Sequence, residues 1–409
     1  MSTDLTVISP PSWVQEAFKD YFDKAHMTDS SHSCITSAVA RAEKTGPTPS
    51  TASAPEPSVK HPIDYWAATY DYGFEPARGV KNGDAVWITA DLLIANNAWR
   101  MRHNLSPLLL EAPAPYWLAT LPRTFTRRTV ITAPVSHIRA WTALPDGLGE
   151  RPWSQLSGGR VPEFRAARRN LRQLQNDLNQ APDDSLITIN THLDGISEEW
   201  CVIVKRGKAV ASSGYCVHRS QDENSHDILT VFDGTRFHDS YRGIAESLAT
   251  RAAQTSHLDD ASIIVGFLAA DGDGETGRGI TQDSSDKDSS DKDSLNIVSS
   301  NMGLPNTTSS DTGSLNTTSP DTGSPKPLPS PSNPQPVIIE ADPVWCTTPY
   351  PYETVEEANA FLRTISDSRL YGNGDGTFRK ENGQTVAQAE IYVPDPWMVR
   401  HAAHRYDRF

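Results

Sequence analysis

Two carboxylates that flank one alanine, Glu340 and Asp342, are the residues of this chain best spaced for chemistry. They close the run VIIEADPVW (337–345), and residues two apart on a strand point to one face. Side by side they repel each other unless water or a cation lies between them. Magnesium suits such a pair, because it takes one or two carboxylates and fills its shell with water and phosphate oxygens. On the residues alone, two acids facing water at a strand end is the plainer reading. A second signal is EEWCVIVKRGKAVASSGY (198–215), a hairpin that gathers Glu198 and Glu199 with Lys205, Arg206 and Lys208. A solvated hairpin with basic residues at its turn is the plain alternative. A third is RRTVITAPVSHIRAW (127–141), a strand followed by a polar loop carrying Arg139, which also reads as an ordinary α/β connection. His401 and His404 have a spacing that can hold a metal on a helix, but they stand in a charged tail without a third ligand nearby. A Walker-type phosphate loop, a G-x-S-x-G elbow and an H-E-x-x-H pair are all missing from the sequence.

The elements that must position these groups are mixed. Short β-branched runs bounded by turn residues predict strands at 129–133, 186–190 and 228–232. Strands are also predicted at 200–205 and 208–214, joined at Arg206-Gly207 as a hairpin. The stretch 63–122 reads as helical pieces broken by prolines. The spacing of Phe164, Ala167, Leu171, Leu174 and Leu178 predicts a helix over 164–178. Further helices are expected over 241–253 and from Thr354-Val-Glu-Glu357, a capping-box spacing, to about residue 365.

Two stretches fall outside any packed core. Residues 28–60 are small, polar and proline-rich, and 271–336 hold DSSDKDSSDKDS and a near-duplicated NTTS-DTGS unit. The strands on either side of the second stretch, 262–272 and 337–345, are expected to be neighbours in one sheet, since lengthening a hairpin tip costs little. The expected organisation is an N-terminal segment (1–27), a linker (28–60), a region preceding the core (61–125), the first part of the core (126–270), the insertion (271–336), and a last strand with a C-terminal helix (337–409). The chain has 409 residues and a net charge of −14, which disfavours non-specific nucleic-acid binding. No run is long and apolar enough to span a bilayer. Four scattered cysteines without a C-x-x-C pair and an N-terminus without a secretory pattern point to a reducing cytoplasm.

In chain order stand V-I-T-A-P (130–134), E-W-C-V-I-V (199–204) closing at Ser213 and Tyr215, the apolar strand 262–272, and E-A-D-P-V-W (340–345), after a lead-in at 112–128. This ordered set resembles the ATP-grasp superfamily, in particular a bacterial and phage branch of ATP-grasp domain proteins. The resemblance implies an α+β fold in which two α+β subdomains enclose a nucleotide cleft, preceded by a small N-terminal α/β region. It implies ATP and Mg²⁺ as cofactors, with adenine against the strand 186–190. Arg139, Asn190, Glu199 and Lys205 would contact the nucleotide, and Glu340 and Asp342 the metal. The implied chemistry is phosphorylation of a small-molecule or peptide carboxylate by ATP, followed by displacement of phosphate by an amine or thiol. The sequence departs from the branch at Ala133, Cys201 and Ile264, where the resemblance implies a lysine, an arginine and a metal-binding aspartate. These departures leave a second expectation beside the ligase, a catalytically inactive derivative acting as a binding or scaffold module.

Overall fold

A computed structural model describes residues 5–8, 14, 17–18, 68–71, 85–222, 225–268, 335–375, 377–380, 383–386 and 390–406. The linker 28–60 and nearly all of the insertion, 269–334, lie outside the described residues; Gln335 and Pro336 already belong to a strand. The strands are β1 (Leu5–Ile8), β2 (Ala68–Asp71), β3 (Ala85–Trp87), β4 (Leu109–Leu110) and β5 (Val130–Pro134). Next come β6 (Trp153–Leu156), β7 (Ala167–Arg168), β8 (Leu186–Asn190), β9 (Ile196–Lys205), β10 (Lys208–Asp222) and β11 (Ser225–Thr230). The last are β12 (Ala261–Leu268), β13 (Gln335–Asp342), β14 (Arg369–Gly372), β15 (Phe378–Lys380) and β16 (Thr385–Val386).

They form four sheets, and the architecture is α+β. β1 lies between β2 and β3 in a parallel sheet. The other three sheets are antiparallel: β11-β10-β9-β12-β13, β5-β8-β6-β7, and β16-β15-β14-β4. β12 and β13 are neighbours as expected, with Leu268 opposite Gln335 and Ser262 opposite Asp342. The hairpin of β9 and β10 turns at Arg206 and Gly207, both at positive φ (51° and 68°), the backbone of a two-residue turn whose twist matches that of the strands.

Period-2 alternation gives the five-stranded sheet two unlike faces. Trp200, Val202 and Val204 of β9, with Ile263, Val265 and Phe267 of β12, pack beneath the helix Asp239–Ser256. That helix buries Ala245, Ala249, Ala252 and Ala253, small residues that let its backbone approach the sheet. The opposite face carries Glu199, Cys201 and Ile203 of β9, registered against Gly266, Ile264 and Ser262 of β12. Ile264 and Ser262 are in turn opposite Glu340 and Asp342 of β13. Part of this face is covered by an apolar core containing Cys201, Ile203, Ile264, Trp345, Tyr350 and Phe361. Phe361 lies on the helix Val355–Asp367, which Thr354 caps through the expected box with Glu357.

The helix expected over 164–178 is shorter, Leu171–Asp177. Asn170 caps it, accepting from the Gln173 N–H, while Gln173 reaches back to the Asn170 N–H. Just before the cap, the Arg169 guanidinium turns inward. It lies 4.1 Å from the Phe164 ring centroid and donates to Ser154, Arg165 and Asp177. These contacts draw 164–169 off the helical path into β7 and a bridge between Val161 and Phe164. The strand expected over 228–232 ends at Thr230, where Val231–Asp233 begins a 3₁₀ turn. Pro396–Tyr406 is a helix whose Trp397 and Met398 are buried in the core of the β5-β8-β6-β7 sheet.

Candidate functional site

The four-stranded sheet β5-β8-β6-β7 is also two-faced. Ala133, Leu156, Ile187 and Ile189 point into a core with Val135, Ile138, Phe164 and Leu174. The alternate positions are polar or amphipathic. Register sets Thr132, Thr188 and Gln155 in one row, and Val130, Asn190 and Trp153 in the next. Thr132 and Thr188 share a hydroxyl hydrogen bond of 3.1 Å, and Thr188 donates onward to Ser157 Oγ at 3.1 Å. The Trp153 indole donates to Gln155 Oε1 at 3.1 Å, and the Gln155 side chain favours the charged form of Glu340 across the sheets. This interaction joins the polar face of one sheet to the acidic face of the other.

Glu340 is the centre of the arrangement. Its Oε1 is buried and has no hydrogen-bond partner. Burial raises its pKa above the ordinary carboxylate value; Arg160 opposes the rise, Glu199 adds to it, and Gln155 and Arg128 oppose it. Arg128 is itself buried, on the segment entering β5, and donates from Nη2 to the Ile339 carbonyl at 2.9 Å. Its Nε has no hydrogen-bond partner. Burial pulls the Arg128 guanidinium down to about 10, against the attraction of Glu340 and Glu199. Arg160 follows Gly158, at φ +70°, and Gly159. A Cβ on Gly159 would stand 1.9 Å from Met398 Sδ, so this turn lies against the side chain of the C-terminal helix. Asp342 shares the face of Glu340, and both acids add to the rise that burial imposes on the Cys201 thiol, pushed up to about 12.

The carboxylate oxygens suit a hard divalent cation better than a soft one. The buried, unpartnered Glu340 Oε1 is where a buried acceptor costs about 1–3 kcal/mol until something satisfies it. Glu340 and Asp342 therefore fit Mg²⁺. Ile264 sits opposite Glu340 with no exposed surface, so the neighbouring strand adds no carboxylate there. Cys201, also fully buried, bonds Ser262 Oγ at 3.1 Å.

Of the residues singled out from sequence, Glu199, Glu340 and Asp342 share one face, and Asn190 lies in the polar row of the facing sheet. Arg139 and Lys205 are held elsewhere. Arg139 binds Asp183 at 2.5 Å and donates to the carbonyls of Leu178, Asn179 and Ala181, fastening the loop after the Leu171–Asp177 helix. Lys205 pairs with Asp367 at 2.7 Å, at the far end of β9 from Glu199. Sequence reasoning missed Arg128, Gln155 and Arg160. The polar-apolar alternation of Trp153-Ser-Gln-Leu156 marks Gln155 as leaving the core, but the docking of the two sheets leaves no local signal. His401 lies 3.1 Å from Glu163 on the C-terminal helix.

No family model matches the chain, and no curated protein does. Among solved structures, the chain is similar to a RimK domain protein ATP-grasp from Sphaerobacter thermophilus. That match has TM-score 0.32 and 9% identity, covering 66% of this chain and 87% of that one. It is similar to a D-alanine–D-alanine ligase from Bacillus anthracis at TM-score 0.31 and 9% identity, covering 66% and 83%. It is similar to the ATP-grasp ligase PsnB complexed with minimal precursor at TM-score 0.29 and 11% identity, covering 65% and 86%. Two of these three are ATP-grasp proteins by description, and all three likenesses are at low identity and low TM-score.

Proposed function

We propose that the chain binds MgATP in the cleft between the polar face of β5-β8-β6 and the acidic face of β9-β12-β13, and acts as an ATP-dependent carboxylate–amine or carboxylate–thiol ligase of the ATP-grasp kind. The observation that carries this reading is Glu340 Oε1, a buried carboxylate oxygen without a hydrogen-bond partner, whose charge Arg128, Arg160 and Gln155 are near enough to favour. Glu340 and Asp342 would hold the metal, which when bound supplies charge shielding for phosphate. Arg128 and Arg160 would neutralise negative charge beside the metal, and the glycine turn at Gly158 and Gly159 would offer backbone N–H groups to phosphate oxygens. Adenine would lie against β8, with Asn190 at its end. Positioning and charge neutralisation are most of what such a transfer asks of a protein. The acceptor is a carboxylate of a small molecule or peptide.

Calorimetric titration with MgATP tests the reading. Glu340→Gln and Asp342→Asn are each expected to weaken binding roughly tenfold or more, the scale of losing one charge-assisted contact. Unchanged affinity in both variants would falsify it. A second reading, an inactive derivative that binds nucleotide as a scaffold, is favoured by the apolar packing of Ala133, Cys201 and Ile264. ATP binding without release of ADP, across a panel of carboxylate and amine acceptors, would select it.

A further inference from the structure

At the opposite end of β9 from Lys205, three side chains of different chemistry converge. Cys216 of β10 is directly opposite Glu199 of β9, and His218 is two residues further along β10 on the same face. The register shift between Gly214 and Cys216 turns Tyr215 to this side as well. A Cβ on Gly214 would stand 2.3 Å from Phe237 Cγ, so glycine is required where the bulge begins. His218 Nε2 is 2.8 Å from Glu199 Oε1 and 3.4 Å from Cys216 Sγ. One ligand atom from each of the three residues lies within 4.8 Å of the others. Tyr215 donates its hydroxyl to Glu199 Oε2, which leaves Oε1 directed at the cluster.

With its proton on Nε2, His218 donates to Glu199 Oε1, and the Cys216 thiol is left with only its own weak S–H donor. With the proton on Nδ1, the Nε2 lone pair faces a carboxylate oxygen at 2.8 Å. A dication in place of that proton satisfies sulfur, nitrogen and oxygen together. The donor set is a thiolate, an imidazole and a carboxylate, which suits zinc and other late first-row ions rather than magnesium. Tyr215 serves as the partner that orients a ligand from behind. Glu199 and Cys216 are buried while His218 is half-buried, so the group is shielded but reachable.

We propose that Glu199, Cys216 and His218 form a three-ligand site for one zinc-class divalent ion, with a fourth coordination position left to water or a bound ligand. The site shares Glu199 with the nucleotide cleft but does not rest on that reading, and it stands whether or not ATP binds.

Cobalt is the probe. Full-length protein, stripped with a chelator, is titrated with Co²⁺ and followed by absorbance. One equivalent is expected to bind with a thiolate-to-cobalt charge-transfer band in the near ultraviolet, and Zn²⁺ should displace it. Cys216→Ser should abolish the band, His218→Gln should weaken Co²⁺ binding about tenfold or more, and Cys34→Ser should change neither. Circular dichroism of the metal-free variants checks that they fold, and His218→Gln keeps the test decisive if Cys216→Ser does not. Absence of the band in the parent, its survival in Cys216→Ser, or unchanged affinity in folded His218→Gln overturns the proposal. MgATP affinity, measured separately in Glu340→Gln, reports on the nucleotide cleft and moves independently of the cobalt band.

Discussion

A single methyl group shows how the pleat decides what a residue can do. Ala133 stands where the family resemblance implies a phosphate-binding lysine, yet it is only 8% exposed and packs into the core beside Ile187. Its neighbour Thr132 is the one on the polar face, bonded to Thr188. A lysine at 133 would drive an ammonium into the apolar layer under Val135 and Ile138. Ala133→Lys is therefore expected to cost about 3 kcal/mol or more and to add nothing to MgATP affinity. Urea denaturation and calorimetry on the same preparation check both halves, and a stable variant with tighter binding would show that the strand can present position 133 to the cleft. Cys201 and Ile264 are likewise in fully buried positions, so restoring single charges there meets the same cost. The acids Glu199, Glu340 and Asp342 were legible because their types and spacing are local. Arg128, Gln155 and Arg160 were not, because what makes each one matter is the approach of a second sheet.

Elements were readable where a local device sets their ends. The Arg206-Gly207 turn, the Thr354 box and the β8 run all lie where the sequence predicts them. The 164–178 helix failed because its apolar periodicity was genuine while Arg169 found five acceptors and a ring on the inner side. Between elements, a buried triad does work that periodicity cannot reveal. Lys380 of β15 lies 2.6 Å from Glu111 Oε2 and 2.7 Å from Asp260 Oδ2, and Asp260 also accepts from the Arg206 N–H at 2.9 Å. It ties the β16-β15-β14-β4 sheet to the β9-β10 turn and the start of β12. Burial pushes the Glu111 carboxyl up to about 8, Lys380 opposing and Asp260 adding. A carboxyl near 4.5 in the unfolded chain and near 8 in the folded one takes up a proton on folding across that window. Its contribution to stability is full below about 4.5 and is lost as pH rises through about 8. Urea midpoints measured between pH about 5 and about 9 should fall with rising pH, and Glu111→Gln should flatten that slope. Parallel profiles for the two proteins would mean that Glu111 stays ionised throughout.

At the scale of the molecule, the edge strand β13 carries the two candidate metal ligands, Glu340 and Asp342. Among the described residues its strand partner is β12, and the segment before β5 grips it from outside. Arg127 donates to the Pro336 carbonyl at 3.1 Å and to Gln335 Oε1 at 3.1 Å, and Arg128 donates to the Ile339 carbonyl at 2.9 Å. These contacts, with the register from Leu268–Gln335 to Ser262–Asp342, hold Glu340 in place from described residues. Opposed residues of an antiparallel pair are about 5 Å apart, a span that a two-residue Asn-Gly turn closes. Replacing 269–334 by Asn-Gly should therefore leave the fold intact. Each halving of a loop removes roughly 0.6 kcal/mol of closure cost, so the shortened chain should gain about 3 kcal/mol of stability. MgATP affinity should be unchanged, because Glu340, Asp342, Arg128 and Arg160 all lie outside the deleted stretch. Denaturation and calorimetry on the shortened protein test this together. A folded variant that has lost nucleotide binding would make the insertion part of the site, and one that fails to fold would make it part of the sheet.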